Sequence, residues 1–84
     1  MSYRIEVRPA ARKALRSLPR PVVERIDVAI LALADTPRPS RCVKLTNQEA
    51  WRIRVGDYRI IYEIHDAALV VTVIEVGHRR AIYR

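Results

Sequence analysis

Residues 3–8, Tyr-Arg-Ile-Glu-Val-Arg, alternate apolar and charged side chains. A period of two predicts a half-buried strand with Tyr3, Ile5 and Val7 on its inner face. Pro9 stops that strand and can open a helix at its first position. Ala11, Ala14, Leu15 and Leu18 then recur at helical spacing, with Arg12, Lys13 and Arg16 pointing outward. Pro19-Arg20-Pro21 ends the first helix and starts a second, whose apolar stripe is Val22, Ile26, Ala29, Ile30 and Leu33. The short connection predicts an antiparallel helix hairpin. A proline-bearing loop, 35–40, follows.

The second half of the chain reads as strands. Cys42 to Leu45 is a short one, and Asn47-Gln48-Glu49 is a turn. Trp51 to Val55 alternates strictly, and Gly56-Asp57 signals a tight turn. Tyr58 to Ile64 is the next strand, and residues 65–68 turn the chain again. Leu69 to Val76 is almost continuously apolar and β-branched, which predicts a strand inside the sheet. Gly77 is expected to end it, and a basic tail, His78 to Arg84, closes the chain. A helix pair followed by a run of strands argues α+β, with the N-terminal strand and helix hairpin packed on a small antiparallel β-sheet.

Eighty-four residues allow one domain, 1–84, with a modest core built from Val, Ile, Leu and Ala, since Phe is absent. The net charge is +7, and every basic residue except Lys13 and Lys44 is Arg. That balance favours a polyanionic partner, and Arg offers phosphate a planar bidentate fork. Cys42 stands alone, which excludes an internal disulfide and suits a small buried side chain. No cofactor-binding glycine loop or metal-ligand spacing is present, so metal-assisted hydrolysis is disfavoured. No apolar stretch is long enough to span a membrane and the N-terminus has no signal-peptide design; the expected location is the cytoplasm.

Arg52 and Arg54 are two apart in a strand, so they leave from one face while Trp51, Ile53 and Val55 leave from the other. Arg59, across the tight turn, can join them, and Arg79 and Arg80 follow the last strand. A single Arg here is more often an ordinary solvated charge, since Arg is usually exposed. A cluster is less easily dismissed, because the strands offer only Glu63 and Glu75 to balance it. Such a cluster suits RNA, whose single strands are held through phosphate and stacked on aromatic rings. Tyr83 can stack on a base or anchor the C-terminus in the core. His78 can move a proton near neutral pH or merely contact phosphate or solvent. His65 reads as a surface residue and Trp51 as core.

The stretch Trp51-Arg52-Ile53-Arg54-Val55-Gly56-Asp57-Tyr58-Arg59-Ile60-Ile61-Tyr62-Glu63-Ile64 closely resembles the central hairpin of RelE-type toxins, in the RelE/ParE superfamily. The ending, Val76 to Arg84, resembles their C-terminal segment, and the opening strand with Ala-Arg-Lys-Ala-Leu at 11–15 is similar too. The resemblance implies a RelE-like microbial ribonuclease fold and an endoribonuclease that cuts mRNA in the ribosomal A site. It implies an acidic RelB-like antitoxin as partner, and contact with operator DNA only through the toxin–antitoxin complex. It implies catalytic roles for Arg52 and Arg54, for Arg59, for Arg79 near the end of the last strand, and for Tyr83 stacking on the base. Two departures stand out. The first pair is Lys in the best-known members and Arg here, and Arg cannot act as a general base. The tail is short and carries His78; related branches use a histidine for proton transfer, which makes His78 a candidate. The competing reading is a ParE-like toxin that inhibits DNA gyrase and cuts nothing. The antitoxin is expected on the helix pair and neighbouring sheet edge, against Leu15, Leu18 and Val22.

Overall fold

Pro9 sits at the start of a helix because its missing N–H would be unsatisfied there in any case. The computed structural model describes residues 2–46 and 48–78. In it, strand β1 (Arg4–Val7) leads directly into helix α1 (Pro9–Arg16), and Ser17, Leu18 and Pro19 separate α1 from α2 (Arg20–Ala32), which carries Pro21 in its first turn. The strands β2 (Val43–Lys44), β3 (Trp51–Val55), β4 (Tyr58–His65) and β5 (Val70–His78) follow. The expected turn at Asn47 and the tail from Arg79 onward lie outside the described residues.

The five strands form one sheet in the order β1-β5-β4-β3-β2. The expected antiparallel pairing holds from β2 to β5, and β1 joins parallel to β5. The helix hairpin between β1 and the meander makes that parallel pair possible, because a parallel pair needs a crossover. Helix α1 lies against β5 and α2 against β3, on the same face of the sheet. The core joins Ala11, Ile26, Ala29, Ile30 and Leu33 of the helical layer to Ile53, Ile60, Tyr62, Val71, Val73 and Val76 of the sheet. Among the described residues no helix is long and apolar enough to cross a membrane.

Tyr62 is fully buried, and its hydroxyl donates to the Pro37 carbonyl at 2.8 Å. Burial pushes its pKa up, so it stays a neutral donor. The proline-bearing loop is thereby fixed to the middle of the sheet. A polar clasp holds the same loop from outside. Arg38 pairs with Asp66 in the β4–β5 turn at 2.8 Å, and its guanidinium carbon lies 5.3 Å from the centre of the Trp51 ring. The Tyr3 hydroxyl donates to Asp66 at 2.6 Å. Trp51 is therefore half-buried under Arg38, at the margin of the core.

The clasp gives stability a sign with respect to pH. Hydrogen bonds from Arg38 and then Tyr3 hold the Asp66 carboxyl below its usual range. A carboxyl with a depressed pKa contributes stability above its unfolded value, about 3.9, and loses it as pH falls through the folded value. Asp66→Asn should therefore lower the melting temperature at pH 7, and the difference from wild type should begin to shrink only as the pH falls below about 4 and vanish once it is below the folded value. Thermal melts across that range check it; a difference that persists in acid would mean Asp66 acts otherwise than through its charge.

Candidate functional site

Residues paired directly across an antiparallel ladder project from the same side of the sheet. Ile53 pairs with Ile60, and both are fully buried against the helices. Their alternating neighbours must then face away. Arg54 lies directly opposite Arg59, and Arg52 opposite Ile61. The three arginines share the helix-free face as expected. Arg54 is exposed, Arg52 and Arg59 are half-buried, and the Nε of Arg59 is buried. Arg59 is also paired with Gly77 of β5, which brings no side chain of its own to that flank.

The turn between β3 and β4 is set by Gly56, whose φ of +59° is left-handed, while Asp57 is not. That is the pattern of a type II′ turn, and its twist matches that of the strands it joins. The Arg25 guanidinium of α2 reaches the tip, with Nη2 3.0 Å from where a Cβ on Gly56 would stand. A side chain at 56 would therefore meet both backbone strain and that guanidinium.

A β-bulge decides what β5 contributes. Ile61 pairs with Glu75 and Tyr62 with Val73, which leaves Ile74 as an extra residue. Strict alternation from Val71 and Val73 would send Glu75 into the core and His78 to the arginine face. The extra residue reverses the phase beyond it. Val76 is buried instead, while Glu75 is exposed on the arginine face beside Ile61. His78 pairs with Tyr58 on the opposite face, their rings 5.4 Å apart and edge to face. The structure thus brings Arg52, Arg54 and Arg59 together and places His78 across the sheet from them. Arg79 and Tyr83 lie outside the described residues.

The acids on this face are the two expected, but they differ. Glu63 is engaged by His65 at 3.2 Å and Arg8 at 3.8 Å. Glu75 makes no ion pair with any described residue. At the β1 edge of the sheet a groove of about 830 Å3 is lined by Arg8, Arg12, His65 and Glu6 with apolar residues such as Ile5, Val7 and Val70. The arginine cluster itself suits a polyanion, and the Glu75 carboxylate stands on the same face. Sequence reading counted Glu75 only as a balancing charge. Nothing in the run Val70-Val71-Thr72-Val73-Ile74 marks where the alternation slips.

Comparison with known proteins agrees with this architecture. The family model described as the ParE toxin of type II toxin-antitoxin systems, parDE, matches residues 5–83. The toxin RelG of Mycobacterium tuberculosis is 33% identical over 88 residues, covering 100% of this chain and 99% of RelG. Among solved structures, a chain of the archaeal RelE–RelB complex from Pyrococcus horikoshii OT3 superposes with a TM-score of 0.84 at 29% identity, over 94% of this chain and 97% of that one. A chain of the intact E. coli RelBE toxin–antitoxin complex gives 0.80 at 27% identity, over 92% and 96%. By its sequence, its mixed five-stranded sheet and its helix hairpin, this chain belongs to the RelE/ParE superfamily of toxins of type II toxin–antitoxin systems.

Proposed function

We propose that this toxin is an endoribonuclease that cleaves mRNA on the ribosome in the cytoplasm and so arrests translation. The observation that carries the reading is the direct opposition of Arg54 and Arg59, flanked by Arg52, on the open face. Facing each other across the ladder, the two offer a phosphate guanidinium groups from adjacent strands on one side of the sheet. In the reaction proposed, a ribose 2′-OH attacks the adjacent phosphorus. The O2′–P bond forms as the 2′ proton leaves to a base, the P–O5′ bond breaks, and the departing 5′ oxygen takes a proton from water, giving a cyclic phosphate and a 5′-hydroxyl.

Arginine stabilises the charge that develops on the phosphoryl oxygens but cannot remove the 2′-OH proton. On the arginine face that proton is assigned to Glu75 rather than to His78, which sits against Tyr58 on the other face. Arg59 and Arg79 stabilise the transition state, Arg52 and Arg54 hold the flanking backbone, and Tyr83 stacks on the base; Arg79 and Tyr83 enter through the resemblance alone. No step is routed through a metal ion.

The match to the ParE model favours a second reading, a toxin that inhibits DNA gyrase and has no use for a phosphate cradle. Expression of the chain alone separates the two. The ribonuclease reading requires growth arrest with new mRNA 5′ ends inside translated regions; arrest with DNA damage, gyrase dependence and intact mRNA would replace it with the second.

Glu75→Gln should lower the cleavage rate about 100- to 10,000-fold, the usual contribution of a general base, while His78→Ala should stay within about threefold of wild type. Single-turnover cleavage by both variants decides the assignment, and the reverse ranking would move the proton to His78. Arg54→Glu should abolish cleavage while leaving the protein folded, because a carboxylate repels the phosphate that the arginine would hold. Urea denaturation checks the fold, and a folded variant that still cleaves would remove Arg54 from the site.

A further inference from the structure

Large apolar side chains are exposed at Val28 and Leu31 on α2 and at Val43 on β2. Leu15, Leu18 and Val22, expected as antitoxin contacts, are instead half-buried and packed against the core. Val43 stands apart because of the face it occupies. It pairs with Arg52 across the β2–β3 ladder, so it projects from the arginine face. Its neighbours agree: Cys42 packs against the core, and Lys44 pairs with Trp51 on the helix side. Val43 is 45% exposed on that face. Arg52 pairs in turn with Ile61, which is half-buried, and Ile61 pairs with Glu75. One row across four strands therefore reads Val43, Arg52, Ile61, Glu75. Arg54 and Arg59 form the next row toward the hairpin tip, two residues on, which is roughly 7 Å by strand rise.

A lone exposed valine needs no explanation. The row is different, because it sets two apolar side chains on either side of an arginine, one step from the pair that faces phosphate. We propose that Val43 and Ile61 form the seat of a nucleobase, belonging to the nucleotide next to the scissile phosphate. The inference rests on the ribonuclease reading and deepens it. Single-stranded RNA presents unstacked bases whose flat faces gain from leaving water. Strands lie about 4.8 Å apart, so Val43 on β2 and Ile61 on β4 are roughly 10 Å apart, with the Arg52 stem between them. A base laid across that row leaves its own phosphate within reach of Arg54 and Arg59. The seat has apolar contact area and no group that reads a base edge at Val43 or Ile61, so it takes any of the four bases. A second copy of this chain fits poorly, since it would bring another +7 to an arginine-bearing face.

Ribosomes programmed with short synthetic mRNAs provide the test, with the full chain assayed under single turnover. One mRNA series carries a single abasic nucleotide, moved one position at a time across the cleavage point. For wild type, removing the seated base should raise the half-saturating toxin concentration about fivefold. Val43→Ser should raise it about as much on intact mRNA, with the maximal rate falling less than about twofold, and at that one abasic position it should cost nothing further. Ile61→Ala should lose additivity at the same position. Val43→Leu should restore the wild-type value, and Val28→Ser, the same kind of change on α2, should stay within about twofold of it. Circular dichroism confirms that each variant is folded. If the effects of Val43→Ser and of the missing base add at every position, no base sits there, and the seat falls while the ribonuclease reading stands. No cleavage by wild type would remove that reading and the seat with it. A Val43→Ser variant that changed sedimentation but not cleavage would assign Val43 to a contact between copies and overturn the seat.

Discussion

Ile53 and Ile60 meet across the β3–β4 ladder, both shut away from solvent beneath the helices, and their burial fixes the phase of two strands at once. Each buried isoleucine is worth about 1.5–3 kcal/mol relative to exposure. A slip of one residue would expose both and drive Arg52, Arg54 and Arg59 into the core, where unpaired charge is far more costly than that gain. The arginine face therefore needs no device of its own to form. It is the necessary reverse side of a sheet whose other side is fully committed to the helix hairpin.

That economy has a cost in stability. Arg54 and Arg59 face each other with like charge, Gly56 gives up backbone entropy to the turn between them, and the domain is small. The losses are met at the other end of the sheet. There the Tyr62 hydroxyl ties the proline loop to the core, and Arg38, Asp66, Tyr3 and Trp51 interlock over four separate segments. Charge collects toward the hairpin tip, and polar bracing collects at the other end of the sheet. This division is common where function requires an unfavourable local arrangement.

The same separation runs through the thickness of the molecule. One face presents arginines, and the other presents a groove between α2 and β3 with its exposed Val28. The two faces differ chemically: the first gathers arginines on a strand surface, and the second sets Arg25 and Arg41 beside apolar Val28, Ala29 and Val55.

Much of this was legible in the sequence. Alternation in Trp51-Arg52-Ile53-Arg54-Val55 assigned the arginines to one face, Gly56-Asp57 located the turn, and the two prolines at 19 and 21 separated the helices. Local periodicity suffices there because each element sees only one kind of neighbour on each side. It failed in β5, where apolar residues run through both phases and the pattern carries no register. Only the pairing of β5 with β4 revealed the bulge at Ile74, which turned Glu75 toward the arginines and His78 away from them. Pairing also decided that β1 runs parallel to β5, and packing decided which helix residues remain exposed. A chain's own periodicity records which residues prefer to be buried. Which strand lies alongside, and in what register, depends on contacts between residues far apart in sequence, and those exist only once the chain has folded.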